Sequence, residues 1–444
     1  MRRFIETIKN IYKIEDLRQR IGYTLGILLI YRLGSFITLP GVDPNQLSAL
    51  KEQTSDGVLG LLDMFSGGAF SQASIFALGI MPYISASIVV QLLGIAIPYF
   101  QRLQREGESG RRKINQITRY LTMGILLVQA PSYLVNLSVQ LPASAFVLDG
   151  LFFKVSSVII LTSGTMFVMW LGEKITDKGI GNGISLIIMI GIIAMFPQAI
   201  IFEFQGRLGD LGGGLIAFLI ELLILFLVFM ISILLVQGTR RIPVQYAKRI
   251  VGNRQYGGVR QYIPLKVNAA GVMPIIFAQA IMMFPLMFFS RFDATTGLAT
   301  AFRFDGFWYN FTFALLIIAF TYFYTAITIN PTQMAEDMKK NGGFIPGVKP
   351  GRRTVEFLDT VMSRITLPGS IFLAIVAILP AFAMQANVND QFAQFFGGTS
   401  LLIMVGVVLD TLQQIESHLL MRHYDGLTKT GRIKGRAGGT AAAI

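Results

Sequence analysis

"GVLGLLDMFSGGAFSQASIFALGIMPYISASIVVQLLG", residues 57–94, sets two apolar runs of unequal length on either side of Ser66-Gly67-Gly68. The first run, 57–65, is far short of the ~20 helical residues that a ~30 Å hydrocarbon core requires. The second, about 74–98, is long enough, yet it carries Pro82, Ser85, Ser87 and Gln91. A half-length segment laid against a full-length one is unusual, and the rest of the chain decides what it means.

The 444 residues are 53% hydrophobic and only 14% charged. A soluble chain of this length could not hide so much apolar surface. Ten runs read as membrane spans: about 21–39, 74–98, 117–139, 151–172, 183–202, 214–237, 268–289, 308–329, 365–384 and 397–421. The first twenty residues hold no apolar core of signal-peptide type and read as an amphipathic lead-in. The expected fold is an all-α polytopic membrane protein.

Lys and Arg fall almost wholly in alternate connections, 32 against 5 on the other side. By the positive-inside rule both termini, 1–20 and 422–444, lie in the cytoplasm. Such charge serves topology and meets anionic lipid. Two basic loops are long enough to do more. Residues 238–267 alternate Val, Ile and Tyr with polar residues around "YGG", the pattern of a projecting β-hairpin. Residues 330–364 read as a short helix, a Gly-Gly break and Pro-Gly turns that present Lys349, Arg352 and Arg353. Together with Arg240, Arg241, Lys248, Arg249 and Arg254, these suit a polyanion such as ribosomal RNA, or an acidic protein.

Catalytic chemistry finds little support. Cysteine is absent, and His418 and His423 have no acidic cluster beside them, so no metal or cofactor site is expected. "GLTKTGRIKG" has Arg432 where a phosphate-binding loop needs Lys. Charges inside spans are few: Arg32 and Glu221, which read as a snorkelling or interhelical pair, and Asp410 and Glu416 in the last span. The remaining interior is polar but uncharged, at Ser85, Gln91, Asn268 and Gln279. Ile80, Ile84 and Ile88 share one helical face. Such a stripe is ordinary packing when taken alone; around a path it would be a dewetting constriction.

Six stretches carry a family likeness: "MFSGGAFSQASIFALGIMPYISASI" (64–88), "EGESGRRKINQITRY" (106–120), "GTMFVMWLGEKITDKGIGNGISLII" (164–188), "PLKVNAAGVMPIIFA" (264–278), "GGFIPGVKPG" (342–351) and "FGGTSLLI" (396–403). In order along nearly the whole chain, they resemble the SecY family of protein-conducting channels. The resemblance implies ten transmembrane helices in two inverted five-helix halves, 21–205 and 206–421, around an hourglass pore. The Gly-rich link 203–214 would hinge them outside. Residues 58–72 would be a plug helix, with Leu61, Met64, Phe65, Ser66, Gly67 and Gly68; it would be half-length because it fills a funnel and never crosses.

The likeness also implies a pore ring of Ile80, Ile84, Ile184, Ile188, Ile276 and Ile403. A lateral gate would run past Ser85, Gln91, Asn268, Gln279 and Phe284. Lys349 stands where the family pattern has Arg, and Asn253 with Arg254 where it often has paired Arg. The implied partners are SecE and SecG subunits, the SecA ATPase, the ribosome, signal-bearing preproteins and lipid of the bacterial inner membrane. A secondary transporter with broken helices is the competing class.

Overall fold

Residues 73–75 do not open the second span as helix. Leu39 N–H donates to the Ala73 carbonyl at 2.8 Å, and Ile75 N–H donates to Ile37 at 3.0 Å. The short backbone pairing holds this stretch in turns until Pro82, in the first turn of a helix where no N–H is needed, starts Met81–Ala96. The helix therefore begins at Met81 rather than at residue 74. Its 16 residues rise about 24 Å before a bend of 101° into Pro98–Arg105.

The computed structural model describes residues 14–430 apart from 48–49, 51–56, 149, 210–212, 247–248, 252–253, 257–259 and 290–305. The helices are α1 (Glu15–Gly34), α2 (Gly57–Ser66), α3 (Met81–Ala96), α4 (Pro98–Arg105), α5 (Glu108–Gln140), α6 (Leu151–Lys178) and α7 (Gly183–Leu208). The chain continues with α8 (Gly214–Gln237), α9 (Met273–Phe289), α10 (Phe307–Thr328), α11 (Pro331–Lys340), α12 (Arg352–Gln385), α13 (Asp390–Ala393) and α14 (Gly398–Thr430). Each of the ten apolar runs falls on a helix. Among the described residues seven helices are long and apolar enough to cross a membrane, and eight if the bent α3–α4 pair is one span. Apolar side chains on α8 such as Ile216, Leu223, Phe226 and Leu234 point outward, as lipid contact requires.

Four apolar cores organise the helices, one of them around Tyr31, Phe76, Ile80 and Ile187. Leu39, Phe70, Ala130, Tyr133 and Leu161 fill a second, between α5, α6 and the segments that follow α1 and α2. Ile275, Met282, Phe313, Ile317, Leu373 and Leu401 fill a third within α9, α10, α12 and α14. The fourth lies where the two groups meet, and α2 is inside it.

The two long basic loops form one unit at an end of the bundle. Strand β1 (Thr239–Tyr246) pairs antiparallel with β4 (Arg260–Lys266), the expected hairpin. It also pairs with β5 (Gly343–Phe344), so the second loop completes a three-stranded sheet. Strands β2 (Arg249–Val251) and β3 (Arg254–Tyr256) form a separate ladder. Ile242, Val244, Leu265, Met338, Ile345 and Leu358 give this unit a core of its own. That core anchors both loops on one scaffold, and α12 begins at Arg352, well before the run at 365.

Two expectations about charge are corrected. Glu221 does not pair with Arg32. It meets Arg207, whose Nε also donates to Glu203 at 2.9 Å. Glu203 in turn accepts the Asn389 N–H at 2.8 Å. Arg207 and Glu203 are on α7, which runs helically to Leu208, so the first part of the presumed flexible link is ordered. The grouping joins α7, α8 and the turn after α12, with Glu203 fully buried. One guanidinium holds two buried carboxylates, so removing it leaves uncompensated charge. Arg207→Gln is expected to destabilise the protein by about 3–5 kcal/mol, read as a lowered Tm in detergent or as proteolysis in the membrane. A Tm equal to wild type would show that the cluster is solvated.

Candidate functional site

The meeting point of the two helix groups is an apolar waist. Ile188 on α7 and Ile403 on α14 are buried there, beside Met64 and Phe65 of α2. Ile84 on α3 and Ile184 on α7 pack against this cluster and against a second one that holds Ile80. Ile80 caps α3 and its carbonyl accepts the Ile84 N–H at 3.1 Å, so the two side chains keep helical spacing although only one is inside the helix. Five of the six expected isoleucines are thus brought together. Ile276 on α9 is half-buried and belongs to neither cluster, whereas Val272, one turn earlier, packs against the first.

The short helix ends by a defined stop. Gly68 N–H donates to Asp63 at 2.9 Å and Gly67 N–H to Met64 at 3.1 Å. Gly67 has φ of +68°, and the pair of bonds makes a Schellman cap. Ser66 is buried; its Oγ donates to the Asp63 carbonyl and accepts the Phe70 N–H. Beyond the cap, Tyr31 Oη donates to the Ser66 carbonyl at 3.1 Å and Arg32 Nη1 donates to the Gly67 carbonyl. Arg32 therefore serves α2, the second part of the charge correction. The side chain of Leu61 lies outside the described residues.

Along the seam between α3 and the second helix group, Ser85 is half-buried and Gln91 exposed. Gln91 Nε2 donates to Ser87 at 3.3 Å. Its Oε1 accepts the hydroxyl of Tyr324 on α10, a contact that crosses the seam. The Tyr324 ring leans on Phe277 of α9, with centroids 5.5 Å apart. Tyr324 was not among the sequence candidates, because an aromatic residue in an apolar run looks like any other. Gln279 is half-buried, Asn268 has a buried amide oxygen that meets no donor among the described residues, and the side chain of Phe284 on α9 lies outside them.

On the looped end, Arg240 and Arg241 of β1 are exposed, as are Lys349, Arg352 and Arg353. Thr354 Oγ1 donates to the Lys349 carbonyl at 3.0 Å, which fixes the turn. Arg249 and Arg254 lie on the β2–β3 ladder, two register positions apart; their side chains, and all of Lys248 and Asn253, lie outside the described residues. No grouping of metal-ligating side chains occurs among the described residues.

Two helix groups of a membrane-spanning chain meet at an aliphatic waist, and a short capped helix is lodged in it. The comparisons give the family. The SecY family model matches residues 74–412. The chain is 44% identical to the protein translocase subunit SecY of Streptomyces scabiei over 94% of its own length and 98% of that relative's. It is 41% identical to the SecY of Chlamydia muridarum, over 97% and 99%. The fold matches that of a SecY solved to show its plug domain stabilising the closed channel, at TM-score 0.60 and 19% identity, covering 94% and 95% of the two chains. It also matches the Sec61 of a canine ribosome–channel complex, at TM-score 0.52 and 18% identity, with the same coverage. The chain belongs to the SecY family. It is a translocase channel subunit of the bacterial membrane and spans that membrane several times; the solute-carrier reading is not favoured.

Proposed function

We propose that polypeptide passes through the waist of Ile80, Ile84, Ile184, Ile188 and Ile403, with Ile276 joining from α9 as the channel opens. The observation that supports this most is the burial of Met64 and Phe65 among Ile188 and Ile403. Branched aliphatic side chains close around whatever occupies the waist and favour no sequence, since their attraction is non-directional. At rest the occupant is α2, the plug. The seam at Ser85, Gln91, Asn268, Gln279 and Phe284 is the lateral gate, where an apolar signal segment leaves for lipid because burial of its surface is favourable on either side.

In this reading the looped end faces the cytoplasm, together with both termini, in keeping with the charge asymmetry. Channel work is passive. SecA, the ribosome or the proton-motive force drives it, and SecE- and SecG-like subunits brace the halves. The decisive test is reconstitution with SecE and SecA in vesicles. A signal-bearing preprotein should become protease-protected when ATP is added; protection equal to that of empty vesicles would end the proposal.

Docking falls to the basic turn and strands. Lys349→Glu combined with Arg254→Glu is expected to weaken SecA or ribosome binding at least about tenfold at low salt, and less as salt rises. Lys349 keeps the charge but lacks the two-pronged geometry of Arg. Restoring Arg at this position should therefore tighten binding or leave it unchanged. Wild-type affinity in the double reversal would place docking elsewhere.

A further inference from the structure

The cap of α2 leaves two carbonyls free at the end of the helix, those of Ser66 and Gly67. Both are taken by neighbouring residues of α1. Tyr31 Oη donates to Ser66, and Arg32 Nη1 donates to Gly67. The Tyr31 side chain is almost wholly buried and stacks on Phe76, with centroids 6.1 Å apart. The guanidinium of Arg32 lies over the Phe36 ring at 4.9 Å and has Ser35 Oγ at 3.4 Å. Both donors are thereby held in place, Tyr31 by the turn before α3 and Arg32 by the residues that follow α1. A cation at a helix C-terminus also opposes the negative end of the helix dipole. On the far side, α7 closes the seat. A Cβ on Gly67 would stand 2.8 Å from Gly191 Cα and 2.9 Å from Arg32 Nη1, and one on Gly191 would stand 3.1 Å from the Phe65 carbonyl. The end of α2 is therefore clasped between two donors and a glycine, with no room for a side chain.

We propose that Tyr31 and Arg32 are the latch of the plug: positioning residues on α1 that set how long α2 stays in the waist. The proposal rests on reading α2 as the plug and goes beyond it in naming what holds the helix. Apolar packing of Met64 and Phe65 alone would resist any displacement, but it carries no geometric preference. The two carbonyl bonds are directional and lie at the end of the helix nearest its exit turn. Leaving the waist must break both, and the half-buried Arg32 then loses its acceptor at the end of α2. The latch therefore acts as a threshold: small movements are restored, and once it yields the plug is free to leave.

The test is resting ion conductance of the full chain with its partner subunits in planar bilayers, measured with and without residues 57–68. Arg32→Gln should raise the leak about tenfold by removing a charge-assisted bond, and Tyr31→Phe, which keeps the ring packing, about threefold. Arg32→Lys should lie between wild type and Arg32→Gln, since charge remains without the guanidinium geometry. Gly191→Ala, which crowds the seat from α7, should also leak. In the chain lacking 57–68, all four substitutions should leave the already raised leak unchanged. A substitution that leaks equally in both backgrounds acts elsewhere and overturns the latch, while the plug reading stands. No leak from any substitution, when the deletion itself leaks, overturns it as well. A deletion that does not leak removes the plug reading and the latch with it. Should Arg32→Gln fail to assemble, Tyr31→Phe and Gly191→Ala decide the matter by the same comparison.

Discussion

With Ile84 and Ile188 replaced by glycine, the resting channel conducts small ions. The two side chains come from α3 and α7 and meet in one apolar cluster. A narrow aliphatic passage holds ions back because water does not fill it, and an ion cannot shed its hydration shell there. Glycine removes eight carbons from the proposed path, enough for water to enter. The barrier then falls, and each ~1.4 kcal/mol lost from it is tenfold in rate. Conductance in planar bilayers is expected to rise at least about tenfold over the unmodified channel. The same change at Ile276, which packs in neither cluster, should have a smaller effect in the closed channel. Equal effects at all three positions would mean that the ring is formed differently at rest. No effect at Ile84 and Ile188 would remove the waist from the proposed path.

Spacing alone offered only the Ile80–Ile84–Ile88 stripe, which looks like ordinary packing; the resemblance supplied Ile184, Ile188, Ile276 and Ile403. Ile80 and Ile84 kept their spacing even though α3 began later than its run, since the Ile80 carbonyl accepts the first helical bond. The two basic loops were legible directly: the alternation in 238–267 and the Pro-Gly turns in 342–351 are local signals. What the sequence concealed were partnerships between distant residues. Arg32 and Glu221 looked like partners because both are charged and both lie in spans. Their actual neighbours, the Gly67 carbonyl and Arg207, are set by how α2 is seated and how far α7 extends. A backbone acceptor leaves no mark in a sequence, and an arginine next to a Gly-rich stretch looks like loop charge. The join of β5 to β1 was hidden in the same way, since a two-residue strand carries no periodicity.

Tyr324 is the case with the largest functional consequence. It stands on α10 within a run of aromatic residues, yet its hydroxyl reaches across to Gln91 on α3. Gln91 is tied by its other end to Ser87, one turn back on the same helix. The seam is thus closed by a side-chain amide and a phenol, with the Tyr324 ring steadied by Phe277. A polar closure of this kind is weaker than continuous apolar packing would be, because a hydrogen bond exchanged with water or a passing chain contributes only about 0.5–1.5 kcal/mol. In the proposed gate it would therefore part readily for an incoming apolar segment and reform afterwards. A cysteine pair at Gln91 and Tyr324, joined by a reducible crosslinker that spans the two replaced side chains, should hold α3 to α10 and stop export of a signal-bearing preprotein. Reduction should restore transport, and the channel should remain assembled throughout. Tyr324→Phe alone should do the reverse and let the gate part more easily, so preproteins with weak signals should be exported faster. Normal export through the crosslinked channel would mean that the chain enters and leaves without these helices separating, and the gate would have to be sought along another seam.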